Sequence, residues 1–349
     1  MNLSIVQNAP FQASWNQSNV HLKAESDWLV CRLAMKIVNL IFYIPKTIVA
    51  AIINPRPRSV HEESPVLEKN FGKFNKEIIT PDQVHLAAQV ELVEGATSST
   101  RTAILHNPLG CNHFIHLQLK QKLLEKGCNV ITFDYRGFTE TWREKDLFVD
   151  AESVYQYATA ELGVEKDQIQ LFGYSLGGFV AANVKALHPG TKGRFVADRS
   201  LRSVYHFLKE SVCITCLGSL VKKITSVVAE IFIAFPIYLL GWSSDAVASL
   251  RKVKCEKRIY YHPNDWLIPF ETNIASASPE EEVYPLNSKD AGFSSHSTPI
   301  GGQLTDEGNF AVDEVASFLA GKSFSPLAER VELSVHKEGE EGSDSDQRG

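Results

Sequence analysis

One order of elements recurs through most of this chain: a short apolar run, a turn, then a helical stretch. The spacing predicts strands over Val84–Leu92, Thr102–His106, Val130–Phe133, Ile169–Phe172, Arg194–Ala197, Arg258–Tyr261 and Glu282–Leu286. Between them it predicts helices over His113–Lys126, Asp150–Leu162 and Gly177–Leu187, and a closing helix over Thr305–Ala320. Gly127, Gly163 and the His188-Pro189-Gly190 run punctuate the first three helices. Strands that alternate with helices build a mainly parallel sheet covered on both faces. Function in such a sheet sits at the carboxyl ends of the strands.

The sharpest motif lies at one of those ends. Gly173-Tyr174-Ser175-Leu176-Gly177-Gly178 joins the apolar Ile169-Gln170-Leu171-Phe172 to the helical Phe179-Val180-Ala181-Ala182. A G-x-S-x-G at a strand-to-helix turn puts the serine on a tight, strained corner that side chains two positions away would crowd. Ser175 Oγ is then exposed above the sheet. The N–H of Leu176, at the helix N-terminus, faces the charge that develops on an attacked carbonyl oxygen.

From Val84 to Ala320 the chain resembles the α/β-hydrolase superfamily. The residues that carry the likeness are the Gly173–Gly177 elbow, Phe133-Asp134-Tyr135-Arg136-Gly137 after the preceding strand, and the His106-Asn107-Pro108-Leu109-Gly110 turn. Ala197-Asp198-Arg199-Ser200 and the acidic, serine-rich C-terminus are also similar to uncharacterised hydrolase-like proteins of intracellular bacteria. The resemblance implies an α/β-hydrolase-like, mostly parallel sheet with helices on both faces and an apolar helical lid insertion.

It also implies a catalytic order of nucleophile, acid, histidine. Asp265, in the His262-Pro263-Asn264-Asp265 turn after the Arg258–Tyr261 strand, sits where the family carries its acid, and Asp198 is the rival. His296 lies 31 residues beyond Asp265, in a serine-rich loop before the closing helix, and is the expected base. His262, His188 and His116 read as ordinary turn or surface histidines. The second oxyanion donor belongs in the turn after Thr102–His106. Pro108 has no N–H, which leaves Leu109 and then Gly110. Where the family often carries His-Gly, this chain has His106-Asn107-Pro108. No metal or cofactor is needed for this chemistry.

Outside the repeating pattern, Trp28–Ile53 is apolar but broken by Arg32, Lys36 and Lys46. That pattern suits either an interfacial membrane helix or one packed on the domain's own surface. We divide the chain into an apolar, amphipathic segment and linker over 1–65, a hydrolase domain over 66–322 with a lid at about 209–250, and an acidic tail over 323–349 expected to be disordered. Ser211–Leu240 within the lid is strongly apolar, and Lys222, Lys223, Glu230 and Pro236 argue against a transmembrane hairpin.

The net charge of −6 includes −4 from Glu329 to Gly349, so the remainder is near neutral, and nucleic acid is excluded as the main partner. Six cysteines scattered over 349 residues do not form a disulfide framework. The Cys213/Cys216 pair lacks a second half-site for zinc and reads as two core thiols. Met1–Asn19 has no basic start before an apolar core, so no secretory signal peptide is expected, and the chain is placed in the cytoplasm or at a membrane. The acidic tail is also compatible with a secreted bacterial effector.

The sequence therefore points to a serine hydrolase acting on a small-molecule or lipid acyl ester, with a membrane surface as a possible partner and the oligomeric state open. A thioesterase or amidase would use the same triad, and a non-catalytic membrane-associated scaffold of the same fold is the alternative from another class.

Overall fold

The computed structural model describes residues 74–111, 113–136, 143–207, 238, 241–265, 267–287 and 293–324. The 1–65 segment, residues 211–237 of the apolar stretch, the Cys213/Cys216 pair and the tail beyond 324 lie outside the described residues.

Eight strands form one sheet in the order β1-β2-β4-β3-β5-β6-β7-β8. They are β1 (Lys76–Ile79), β2 (His85–Glu91), β3 (Thr102–His106), β4 (Asn129–Phe133), β5 (Ile169–Tyr174), β6 (Phe195–Asp198), β7 (Lys257–Tyr261) and β8 (Val283–Pro285). The β1/β2 and β2/β4 pairs are antiparallel and the other five pairs are parallel. Every residue of β3, β4, β5 and β6 is buried, as continuous apolar runs in a sheet covered on both faces require. β1 escapes the sequence pattern because Lys-Glu-Ile-Ile shows no alternation. It is an edge strand with one buried residue, Ile78.

The helices divide between the two faces. On one, α1 (Leu117–Glu125) and α6 (Ala311–Ala320) pack together over Ala103, Leu105, Phe172 and Val196. On the other, α2 (Glu144–Gln156), α3 (Leu176–Leu187) and α4 (Ala246–Leu250) cover Ile104, Ile131, Leu171 and Ala197. Neighbouring residues of one strand thus feed opposite cores, and each fully buried Leu, Ile, Val or Phe contributes roughly 1.5–3 kcal/mol.

Three boundaries differ from the sequence reading. α2 begins at Glu144, six residues before the expected Asp150, with Glu144 and Asp146 in its first turn complementing the helix dipole, and it runs on into a π turn at Tyr157–Glu161. The closing helix begins at Ala311 rather than Thr305, because Thr305–Gly308 forms a turn with Gly308 at φ 77°. The last part of the expected lid range belongs to the domain core. Trp242 is fully buried, and α4 packs on α3 with its N-terminus capped by Asp245, which accepts from Val247 N and Ala248 N. Glu144 holds this return segment by accepting from Ser243 N, Ser244 N and Ser244 Oγ. Among the described residues no helix is long and apolar enough to cross a membrane.

Candidate active site

Ser175 stands between β5 and α3 with φ 54° and ψ −119°, a backbone conformation that non-glycine residues rarely adopt. Its neighbours show what imposes this corner. A Cβ on Gly173 would overlap the carbonyl of Gly177, and a Cβ on Gly177 would overlap the carbonyl of His106. The two glycines let the strand end, the helix start and the turn after β3 close on one another. β6 holds the corner from the other side, since Ser175 N donates to Asp198 O at 2.9 Å and Ser200 Oγ donates to Ser175 O at 2.6 Å.

The expected acid and base both meet Ser175. His296 lies in a short helix, α5 (Phe293–Ser297), where the sequence suggested a loop. Its Nε2 is 3.1 Å from Ser175 Oγ and its Nδ1 is 2.7 Å from Asp265 Oδ2. A carboxylate only accepts, so Nδ1 carries the proton and Nε2 is left to accept from the serine hydroxyl. The other oxygen of Asp265, Oδ1, accepts from Leu267 N at 3.0 Å and Ile268 N at 2.9 Å, which fixes the plane of the carboxylate. Ser295 Oγ donates to Asn264 O at 2.9 Å and ties the acid and base segments together. Ser175, Asp265 and His296 are each at most 6% exposed, so the serine is buried where the sequence suggested an exposed hydroxyl above the sheet, and these bonds form away from bulk water, where they are electrostatically strong.

Asp198, the rival acid, is committed elsewhere. Both its carboxylate oxygens take the guanidinium of Arg199, from Nε at 2.8 Å and from Nη2 at 2.7 Å, and both residues are fully buried.

Leu176 is the first residue of α3, so its N–H has no acceptor within the helix. Leu109 is half-buried and packs against the same core cluster as Leu176. Its turn is held by Asn107, whose Nδ2 donates to Phe133 O at 2.8 Å and Asp134 Oδ1 at 2.9 Å. Asp134 Oδ1 also accepts from His113 N at 2.9 Å. The turn therefore takes its shape from side-chain bonds although Asn107-Pro108 replaces the more common His-Gly.

Two of the histidines set aside as turn or surface residues are buried. His116 is 3% exposed and His262 2%, and the His262 ring accepts from Asn264 N at 3.0 Å, shaping the turn that ends in Asp265. His188 does lie in a turn, against Glu152 at 2.9 Å. Burial pushes His106 down to about 4 and His116 down to about 3, so both rings are neutral at physiological pH. Among the described residues no group of three or more His, Cys, Asp or Glu side chains is placed to hold a metal ion.

Sequence reasoning missed Tyr174 and Arg199. The Tyr174 hydroxyl donates to the backbone carbonyl of His296, and the Arg199 guanidinium lies 4.7 Å from the centre of the Tyr174 ring. The Asp198-Arg199 pair followed by Ser200 was the only trace of this arrangement, because nothing in a sequence says which distant carbonyls a buried guanidinium will meet.

Residues 104–203 match the family model for the alpha/beta hydrolase fold. That span runs from within β3 to just past β6 and holds Ser175. The chain has the α/β-hydrolase fold. It is 28% identical over 158 residues to the uncharacterised protein R595 of Acanthamoeba polyphaga mimivirus, covering 43% of this chain and 51% of that one. It is 25% identical over 154 residues to the alpha/beta hydrolase domain-containing protein aho-3 of Caenorhabditis elegans, covering 42% and 38%. The matches thus span about half or less of the length of these curated relatives. Among solved structures, Est1E from Butyrivibrio proteoclasticus superposes with a TM-score of 0.51 at 11% identity, over 70% of this chain and 96% of Est1E. The 2,6-dihydroxy-pseudo-oxynicotine hydrolase superposes with a TM-score of 0.50 at 18% identity, over 72% and 69%.

Proposed function

We propose that the protein is a serine hydrolase that cleaves an acyl ester through an acyl-enzyme. The observation that carries this reading is the unbroken hydrogen-bond chain from Asp265 through His296 to Ser175, at 2.7 and 3.1 Å, on a strained strand-to-helix turn. His296 Nε2 takes the Ser175 proton as Oγ attacks the acyl carbonyl, and Asp265 stabilises the imidazolium that forms. The N–H groups of Leu176 and Leu109 receive the tetrahedral oxyanion. The imidazolium returns its proton to the leaving alcohol oxygen. Water, deprotonated by the same nitrogen, then attacks the acyl-serine, and its collapse releases the acid and restores Ser175.

The likeness to esterases is one of fold, and the same triad would serve a thioester or an amide. The preference for a lipid or other long-chain acyl group rests on the apolar Ser211–Leu240 sequence, and contact with a membrane surface on that stretch and Trp28–Ile53. Both lie outside the described residues except for Tyr238, which is 48% exposed. The test is hydrolysis of a p-nitrophenyl ester series from acetate to palmitate by the full chain and by Ser175→Ala. Turnover that disappears with Ser175→Ala and rises with chain length supports the whole reading. Turnover confined to acetate and butyrate reduces it to a short-chain esterase, and turnover that survives Ser175→Ala refutes the nucleophile.

A further inference from the structure

We infer that Arg199 is a positioning residue for His296, its guanidinium gripping the backbone of the base segment so that the imidazole stays between Ser175 and Asp265. The inference rests on the triad reading above and adds a residue that does not touch the reacting atoms.

Removing a guanidinium wholly from water is costly unless each of its donors finds an acceptor. The five hydrogen bonds of the Arg199 guanidinium go to two places. Nε and Nη2 bind Asp198, which neutralises the charge. Nη1 is turned the other way and donates to the carbonyls of Ser295 at 2.9 Å, His296 at 3.2 Å and Thr298 at 2.8 Å. The carbonyls of Ser295 and His296 belong to the last turn of a helix of only five residues, where no intrahelical N–H reaches them, and that of Thr298, just beyond it, also accepts from Gln303 Nε2 at 3.3 Å. Arg199 therefore supplies to the base segment what a longer helix would supply internally. A lysine ammonium could neutralise Asp198, but it lacks the planar fork that faces a carboxylate on one side and three carbonyls on the other.

Two further observations place this contact in the service of the site. Arg199 holds φ 44°, a left-handed conformation unusual for a non-glycine residue, directly after β6, and its N–H donates to Tyr260 O at 2.8 Å. That strained corner aims the side chain back across the sheet end. The carbonyl of His296 also receives the hydroxyl of Tyr174, the residue before the nucleophile, on whose ring the guanidinium rests. The elbow, the end of β6 and the base segment thus meet at one carbonyl, that of the base itself. Asp198 anchors the clamp, which explains a buried acid in the triad's neighbourhood that does not contact the imidazole.

Arg199→Met would leave Asp198 buried and unpaired, so the test uses the neutral pair Asp198→Asn/Arg199→Gln and, separately, Arg199→Lys. Each is compared with wild type for kcat and KM on p-nitrophenyl butyrate, for fluorophosphonate labelling rate, and for the downfield NMR resonance of the His296 Nδ1 proton. In folded protein, kcat and the labelling rate should fall about 10²-fold, as displacement of a catalytic group by an ångström does, with KM within about twofold and the resonance broadened away. Arg199→Lys should lose less. A folded variant with kcat within about twofold of wild type and the resonance intact would overturn the inference. Should neither variant fold, the wild-type guanidinium is read directly by 15N NMR: Arg199 Nη protons that are inequivalent and slow to exchange are expected of the clamp, and Nη protons averaged by rotation and in free exchange with water would overturn the inference. A wild-type chain that is not labelled at Ser175 sinks the hydrolase reading, whereas a labelled wild type with unaffected variants sinks only the role of Arg199.

Discussion

Replacing Asp265 by asparagine should abolish turnover without disturbing the fold, and the structure says why. Asp265 Oδ1 accepts from two backbone N–H groups, Leu267 and Ile268, so an asparagine must place its carbonyl oxygen there and its NH2 toward His296. That NH2 sits where Oδ2 now lies, 2.7 Å from Nδ1, and donates to it. The imidazole proton then moves to Nε2, which points at Ser175 Oγ as a donor and can no longer accept its proton. Shape is unchanged and the base is gone. A tautomer inversion of this kind costs about 10⁴ in kcat, which is roughly 5.4 kcal/mol of transition-state stabilisation. Steady-state hydrolysis of p-nitrophenyl butyrate, with thermal unfolding as a control, reads both quantities. Asp265→Asn retaining a kcat within about tenfold of wild type, at an unchanged unfolding temperature, would refute the argument.

Two other outcomes follow from the surroundings of the site. His106 and His116 titrate at about 4 and about 3 in the folded chain against 6.5 for a free ring, so the unfolded chain binds more protons between those values. Stability present above pH 6.5 is therefore lost as the pH falls toward 4, with a slope of up to about 1.4 kcal/mol per pH unit for each ring, and denaturant unfolding at pH 7 and pH 5 measures it. Gly177→Ala would drive a Cβ into the carbonyls of His106 and Asn107, so it should cost at least the ~1–3 kcal/mol of an overpacked core and lower labelling of Ser175, read by urea unfolding and a fluorophosphonate probe.

The strands β3, β4 and β5 were legible because each is a mainly apolar run bounded by turn residues, and the buried sheet centre needs that composition. β1 was not, because an edge strand is stabilised by its hydrogen bonds to β2, and Lys76-Glu77-Ile78-Ile79 carries no pattern that records them. Ser175 could be read from local chemistry, since the glycines that permit its backbone are its sequence neighbours. Asp265 and His296 needed the order of a known family, because 31 residues separate two groups that the fold brings to 2.7 Å. The partner of Asp198 was adjacent in sequence and still missed as an anchor. A carboxylate at a strand end reads the same whether it faces an imidazole or a guanidinium, and only the turn at Arg199 decides which. The burial of His116 and His262 was equally invisible, as their polar ring and turn setting gave no sign of what packs over them.

Every proposed role at this site depends on Ser175 being a nucleophile activated by His296. Treating the 349-residue chain with a fluorophosphonate probe and mapping the adduct by peptide mass spectrometry measures this activation. A single adduct on Ser175 is expected, absent from Ser175→Ala and slowed by orders of magnitude in His296→Ala. An adduct on another residue, or equal labelling of the His296→Ala variant, would contradict it.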